Sequence, residues 1–232
     1  MMRKLILFDL DGTLVDVFDL HINAFIRMEK EVFGVDLSPE DLIKNMGKPP
    51  RIVIGAPAME RGICQETIEE KMETAYKSYK IHLEKGLKGR GEEAILPGVV
   101  RLLDILSQRG EILGIVTSNI STVGMLILEK TGLVKYFKVS SFGDVAQKRS
   151  DIIERASELA KEKYGFVPNG GNVFVVGDSP VEIQAGKEFG CKTVAVATGL
   201  AKETDLEREK PDFLFRSLED TEEVLKAFGD QI

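Results

Sequence analysis

A parallel, Rossmann-like α/β sheet with helices on both faces, interrupted by an inserted all-helical domain, is the fold class these residues predict. Three observations carry that expectation. Leu5 to Phe8 is an apolar run without alternation, the pattern of a strand buried on both faces, and it stops abruptly at Asp9-Leu10-Asp11-Gly12. From 17 to 90 the periodicity is helical throughout. Beyond 91, short β-branched or apolar runs alternate with amphipathic helices, which implies strands paired in parallel across helical crossovers.

The elements follow in order. After Asp16, the residues Phe18, Ile22, Phe25, Ile26, Met28 and Phe33 recur at helical spacing, and Gly34 ends that helix. Ser38-Pro39-Glu40-Asp41 reads as an N-cap with proline at the first helical position, opening a short helix that stops near Gly47. Lys48-Pro49-Pro50-Arg51 is expected to be a connection, and Arg51 to about Gly62 a further helix despite Pro57. Gln65 to about Lys85 is a charged helix with Ile68, Met72, Ala75 and Tyr79 along one side. Gly86 to Gly91 reads as a flexible basic connection before a helix carrying Val99, Leu102, Leu103 and Leu106.

Strands are then expected at 112–116, 136–142, 173–176, 193–196 and 212–215, with helices after 119 and at 150–163, 181–189 and 219–228. The division is core, insertion, core: 1–16 with 91–232 as one unit and 17–90 as the helical one.

Composition narrows the function classes. The 232 residues are 43% hydrophobic with a net charge of −7, which suits a globular chain and disfavours a general nucleic-acid-binding surface. No run reaches the ~18 apolar residues that span a bilayer, and the Met-Met-Arg-Lys start leads straight into the first strand, so no membrane partner and a cytoplasmic location are expected. Cys64 and Cys191 lack metal-ligand spacing and read as reduced structural residues; two histidines are too few for a histidine-rich metal site.

The chemistry gathers where parallel strands end. Open parallel sheets bind ligands beyond the carboxyl ends of their strands, and Asp9 with Asp11, Thr117 with Ser118 and Asn119, Lys148, and Asp178 with Glu182 all fall at such ends or beside them. Carboxylates crowded at one point need a cation, a shared proton or a substrate to relieve them. Hard oxygen ligands suit Mg²⁺, which takes one or two carboxylates with waters and a phosphate, while hydroxyls, amides and an ammonium suit the phosphate oxygens.

Four motifs in this order, DLDGTLVD at 9–16, Thr117, Lys148 and GDSPVEIQAG at 177–186, resemble the haloacid dehalogenase superfamily in its phosphatase branch with a helical cap. The resemblance covers nearly the whole chain and implies a Mg²⁺-dependent phosphomonoester hydrolase acting on a small phosphate ester, of the phosphoglycolate or sugar-phosphate type. In it Asp9 is the nucleophile, passing through an aspartyl-phosphate. Asp11 protonates the leaving oxygen, later activates water, and offers its backbone carbonyl to the metal. Thr117, Ser118 and Asn119 hold the phosphate or orient the reactants, Lys148 neutralises charge between nucleophile and substrate, and Asp178 and Glu182 serve the metal, Glu182 directly or through water. The aspartate at position 11 separates this branch from the dehalogenases.

The chain departs from the family pattern at two points. Lys148-Arg149-Ser150-Asp151 replaces the usual Lys-Pro-x-Pro, leaving Arg149 as an alternative to Lys148, and Glu182 stands where aspartate is usual. Specificity is expected in the cap, with His21, Lys48 and Arg51 as candidates; His21 keeps open a phosphomutase of the β-phosphoglucomutase type. A non-catalytic binding protein on the same scaffold is the remaining alternative, and the retained carboxylates and lysine count against it.

Overall fold

The computed structural model describes residues 3–45, 48–146 and 148–229. Its centre is a six-stranded, wholly parallel sheet in the order β3-β2-β1-β4-β5-β6: β1 (Leu5–Phe8), β2 (Ile112–Thr117), β3 (Val139–Phe142), β4 (Val173–Gly177), β5 (Lys192–Val196) and β6 (Phe213–Phe215). Leu5 pairs with Ile112 on one side and Val173 on the other, and Phe8 with Ile115 and Val176. The chain moves outward from β1 through β2 to β3, then returns to lay β4 against the other side of β1. The strand order therefore reverses at β1, where a doubly wound sheet opens a crevice.

The absence of alternation in β1 is explained by burial on both faces. Ile6 and Phe8 join Leu113, Ile115, Phe174 and Val176 in a core shared with α5 (Val99–Gln108), α6 (Ser121–Lys130) and α10 (Thr221–Ala227). Leu5 and Leu7 point the other way, with Val116 and Val175, into a core closed by α7 (Arg149–Tyr164) and α8 (Pro180–Phe189). Each such side chain contributes ~1.5–3 kcal/mol on burial.

Between β1 and α5 stand α1 (Phe18–Phe33), α2 (Pro39–Ile43), α3 (Pro50–Glu60) and α4 (Gln65–Leu87). The long helices α1 and α4 pack against each other, with Phe25 stacked on Tyr79 at 4.1 Å between ring centroids. Gly34 ends α1 in the left-handed conformation, φ +73°, as its place after Phe33 implied. Ser38 caps α2 through its N–H and Oγ, both donating to Asp41. The stop expected near Gly47 lies outside the described residues; α2 itself ends at Ile43.

Two local expectations change. Pro49 and Pro50 do not both lie in a connection: Pro49 is the N-cap and Pro50 the first residue of α3, where a missing N–H costs nothing. Helix α4 runs through Gly86 to Leu87, because the glycine lets α4 close on Leu20 of α1; a Cβ there would sit 3.1 Å from Leu20 Cδ2. The short α9 (Glu203–Arg208) carried no recognised signal. Cys64 and Cys191 are free thiols. No helix among the described residues is long and apolar enough to cross a membrane.

Candidate active site

Asp9 is delivered by the sheet. Its N–H donates to Val176 O at 2.8 Å, extending the β1–β4 ladder by one residue beyond Phe8, and the residue is 7% exposed. Asp178, equally buried, follows the end of β4 and accepts a bond from Thr13 Oγ1 at 3.0 Å. Two glycines make that placement possible. A Cβ on Gly12, whose φ of +84° already excludes most residues, would lie 2.5 Å from Asp178 Oδ2, and one on Gly199 would lie at 1.7 Å.

Facing Asp9 is Arg149. Its Nη2 pairs with Asp9 Oδ1 and donates to Val116 O at 2.9 Å, while Nη1 donates to Ser118 Oγ at 2.8 Å. The same Nη2 lies 3.2 Å from Glu182 Oε1. Lys148 does not fill this position: its Nζ is turned outward to Glu188 on the exposed surface. The reason is local. Lys148 is the extended N-cap of α7 and Arg149 its first helical residue, so one step along the chain reverses the direction of the side chain, and Asp151 fixes the start by accepting the Lys148 N–H at 3.1 Å. Glu182 is committed as well: Oε2 accepts from Ser179 N–H at 2.9 Å and from Ser179 Oγ as the capping box of α8, and Oε1 faces Arg149.

Asp11 lies between the sheet and the helical insertion. Oδ2 accepts from Asn119 Nδ2 at 2.5 Å, and Oδ1 lies 3.1 Å from His21 Nε2 on α1. The other ring nitrogen of His21 meets Tyr79 Oη of α4 at 2.5 Å. His21 is 1% exposed, so this polar pair is buried at the cavity's inner wall, beside the aromatic packing of the insertion. At the end of β2 the buried Thr117 Oγ1 accepts the Asn119 N–H at 3.2 Å, which fixes the turn presenting Ser118 and Asn119.

The electrostatics follow from crowding acids in a dry place. Burial, with Glu182 and Asp11 adding, pushes the Asp9 carboxyl up to about 7 against the pull of Arg149. Burial and the charges of Asp9 and Glu182 push Asp178 well above the usual range. For Arg149, burial opposes the charge, but Glu182 and Asp9 outweigh it. Among the described residues no three His, Cys, Asp or Glu side chains are arranged to hold a metal between them. The donor set that fits a cation is smaller, Asp9 and Asp178: Glu182 has both oxygens engaged, by Arg149 and by Ser179, whereas Asp9 gives Arg149 only Oδ1 and Asp178 gives Thr13 only Oδ1.

These groups line one cavity of about 400 Å³ between the sheet edge and the insertion. Every core residue singled out from the sequence is part of its wall except Lys148; from the insertion His21 and Lys48 line it, while Arg51, exposed on α3, does not. Sequence reasoning missed the participation of Tyr79, Thr13 and Gly199. Tyr79 was legible only as one position on an apolar helix face, and nothing in 193–203 marked Gly199 as the residue packed on Asp178.

The family model for haloacid dehalogenase-like hydrolases matches residues 6–196. Pyrophosphatase PpaX from Bacillus pumilus is 29% identical over 222 residues, 96% of each chain. A phosphoglycolate phosphatase from Shigella boydii is 29% identical over 248 residues, covering 96% of this chain and 91% of that one. The crystal structure of β-phosphoglucomutase from Clostridium difficile superposes with a TM-score of 0.76 at 16% identity, covering 98% of this chain and 97% of that one, a likeness of fold. The chain belongs to the haloacid dehalogenase-like hydrolases.

Proposed function

We propose that this hydrolase is a Mg²⁺-dependent phosphatase that cleaves small phosphomonoesters through an aspartyl-phosphate on Asp9, with 17–90 as a cap over the catalytic core. The observation that carries the reading is the buried Asp9 at the end of β1, clamped by Arg149 and sharing one cavity with Asp178 and a separately held Asp11. Carboxylates raised above all by burial, with the Asp9 charge adding at Asp178, are a natural cation site, and two of them are what Mg²⁺ commonly takes from protein. Asp9 and Asp178 would hold the ion with the Asp11 carbonyl, and the ion would supply positive charge to the carboxylates and phosphoryl oxygens.

The residues of the chain do the rest. A carboxylate oxygen of Asp9 bonds to phosphorus as the ester P–O bond breaks, and Asp11 gives its proton to the departing oxygen. Asn119 and His21 hold the Asp11 carboxyl in one orientation for that transfer. Asp11 then takes a proton from the water that attacks the phosphoaspartate, which releases phosphate and restores Asp9. Arg149 is suited to the charge that accumulates on the phosphoryl oxygens; its buried Nε has no hydrogen-bond partner among the described residues. Thr117, Ser118 and Asn119 at the end of β2 complete the phosphate side.

The test is phosphate release from p-nitrophenyl phosphate with Mg²⁺ by the wild type and by Asp9→Asn. A loss of 10³-fold or more is expected, since the variant has no nucleophile. Equal release from both proteins would refute the mechanism. Following a sugar-phosphate panel for isomers as well as free phosphate distinguishes a mutase.

A further inference from the structure

We infer that the leaving group this site accepts is an apolar or aromatic alcohol, rather than a second phosphate, a carboxylate or a sugar. The inference rests on the phosphatase reading and names the substrate class of that same site. It starts from the half of the cavity that the phosphate does not need. The insertion's wall is built from Phe18, Phe25, Ile43, Val53, Ile54 and Tyr76. Phe25, Val53 and Ile54 are buried there, and His21 and Tyr79 spend their polar atoms on each other and on Asp11. Apart from the Tyr76 hydroxyl, that wall leaves little to recognise the several hydroxyls of a sugar.

Charge points the same way. Among the described residues the insertion brings one cation to the cavity, Lys48, an exposed side chain whose Nζ is engaged by Asn45 Oδ1 at 2.9 Å. Arg149, the cation of the core side, is held by Asp9 and Glu182. A polyanionic leaving group such as phosphate would be desolvated against rings and aliphatic chains with one surface ammonium to answer it, a costly arrangement.

The exposed part of the lining carries an independent observation. Ile43 of α2, Val181 at the start of α8 and Leu200 after β5 all line the cavity, and they are 48%, 43% and 54% exposed. Large apolar side chains left about half exposed along one cavity, from both the insertion and the core, mark a place where an apolar ligand is covered. The volume, about 400 Å³, falls in the range of pockets that enclose organic ligands well beyond the size of a phosphoryl group.

The experiment uses n-alkyl phosphates from methyl to hexyl, with 1-naphthyl phosphate, phosphoglycolate and pyrophosphate, all assayed for released phosphate, and the matching n-alkylphosphonates titrated by calorimetry. Burial of each added methylene is expected to raise kcat/KM, and to tighten phosphonate binding, by about two- to fourfold. Naphthyl phosphate should exceed phosphoglycolate and pyrophosphate. Ile43→Glu and Leu200→Glu, at positions exposed enough to accept charge, should flatten the dependence on chain length. A flat series with phosphoglycolate or pyrophosphate preferred would overturn the assignment. Rising phosphonate affinity with no turnover of any ester would support the apolar subsite and refute the catalytic reading, so the two failures are distinct.

Discussion

Arg149 and Lys148 are neighbours in sequence with opposite fates, and activity should separate them. Arg149 is buried and answers two carboxylates, so Arg149→Ala strands Asp9 and Glu182 as unpaired charges and removes a positive group from the reacting centre. The expected result is a fall in kcat of about 10²–10³ and a loss of ~3–5 kcal/mol in stability. Lys148→Ala removes only a surface contact with Glu188 and should stay within about twofold of wild type. Parallel kcat measurements on the two variants check this; the reverse ranking would restore Lys148 to the site. A second residue, Glu29 on α1, is buried with neither carboxylate oxygen bonded among the described residues. Burial lifts it to about 8, with Arg61 opposing. A carboxyl that titrates higher in the folded chain stabilises it while protonated, so this contribution is full below about pH 4.5 and lost as pH rises through about 8. Glu29→Gln should therefore match the wild-type melting temperature near pH 5 and exceed it by on the order of 5 °C above pH 8. Equal pH dependence in both proteins would show Glu29 to be solvated.

At the scale of elements, the two kinds of glycine make different predictions. Gly34 ends α1 at φ +73° with open space where a Cβ would stand, so Gly34→Ala should cost only the left-handed conformation, ~1–2 kcal/mol, and leave turnover intact. Gly199→Ala would drive a methyl into Asp178, so it should abolish most phosphatase activity even where the protein remains folded by circular dichroism. This contrast marks what the amino-acid pattern could reveal. Gly34 was legible because helix ends obey a local rule, as were the buried strands from Leu5 and Val173 and the acids at their ends, since burial on both faces leaves a continuous apolar run. Gly199 acts on a residue 21 positions away, through a close approach that exists only once β4 and β5 are side by side. The choice between Lys148 and Arg149 stayed open in the sequence for a related reason: one residue's shift in where α7 begins decides which cation points inward. Pairing chemistry such as His21 with Tyr79 likewise requires α1 and α4 to be packed before it can be seen.

Across the whole molecule, the helical insertion meets the core at several places, α4 against α6 with Lys130 paired to Glu84 among them, and two of the junctions bear on the site. The connecting segments run side by side, with Asp16 N–H donating to Ala94 O at 2.8 Å and Leu96 N–H to Leu14 O at 3.0 Å, so both crossings are pinned at one narrow place. Away from it, Asp11, His21 and Tyr79 form a polar link from the core through α1 to α4, set within an apolar cluster that extends from β1 into the insertion. A body attached at one pinned edge and latched across a cavity can admit a ligand by releasing the latch, so the link should govern both the orientation of Asp11 and the closure of the site. His21→Ala breaks both bonds and is expected to lower kcat about tenfold while speeding limited proteolysis within 88–93. Tyr79→Phe keeps the ring on Phe25 but leaves His21 without its second partner, a buried loss of ~1–3 kcal/mol, and should give a smaller change of the same kind. If His21→Ala slows turnover without altering proteolysis, the histidine only orients Asp11; if neither changes, the link carries no load between the two parts.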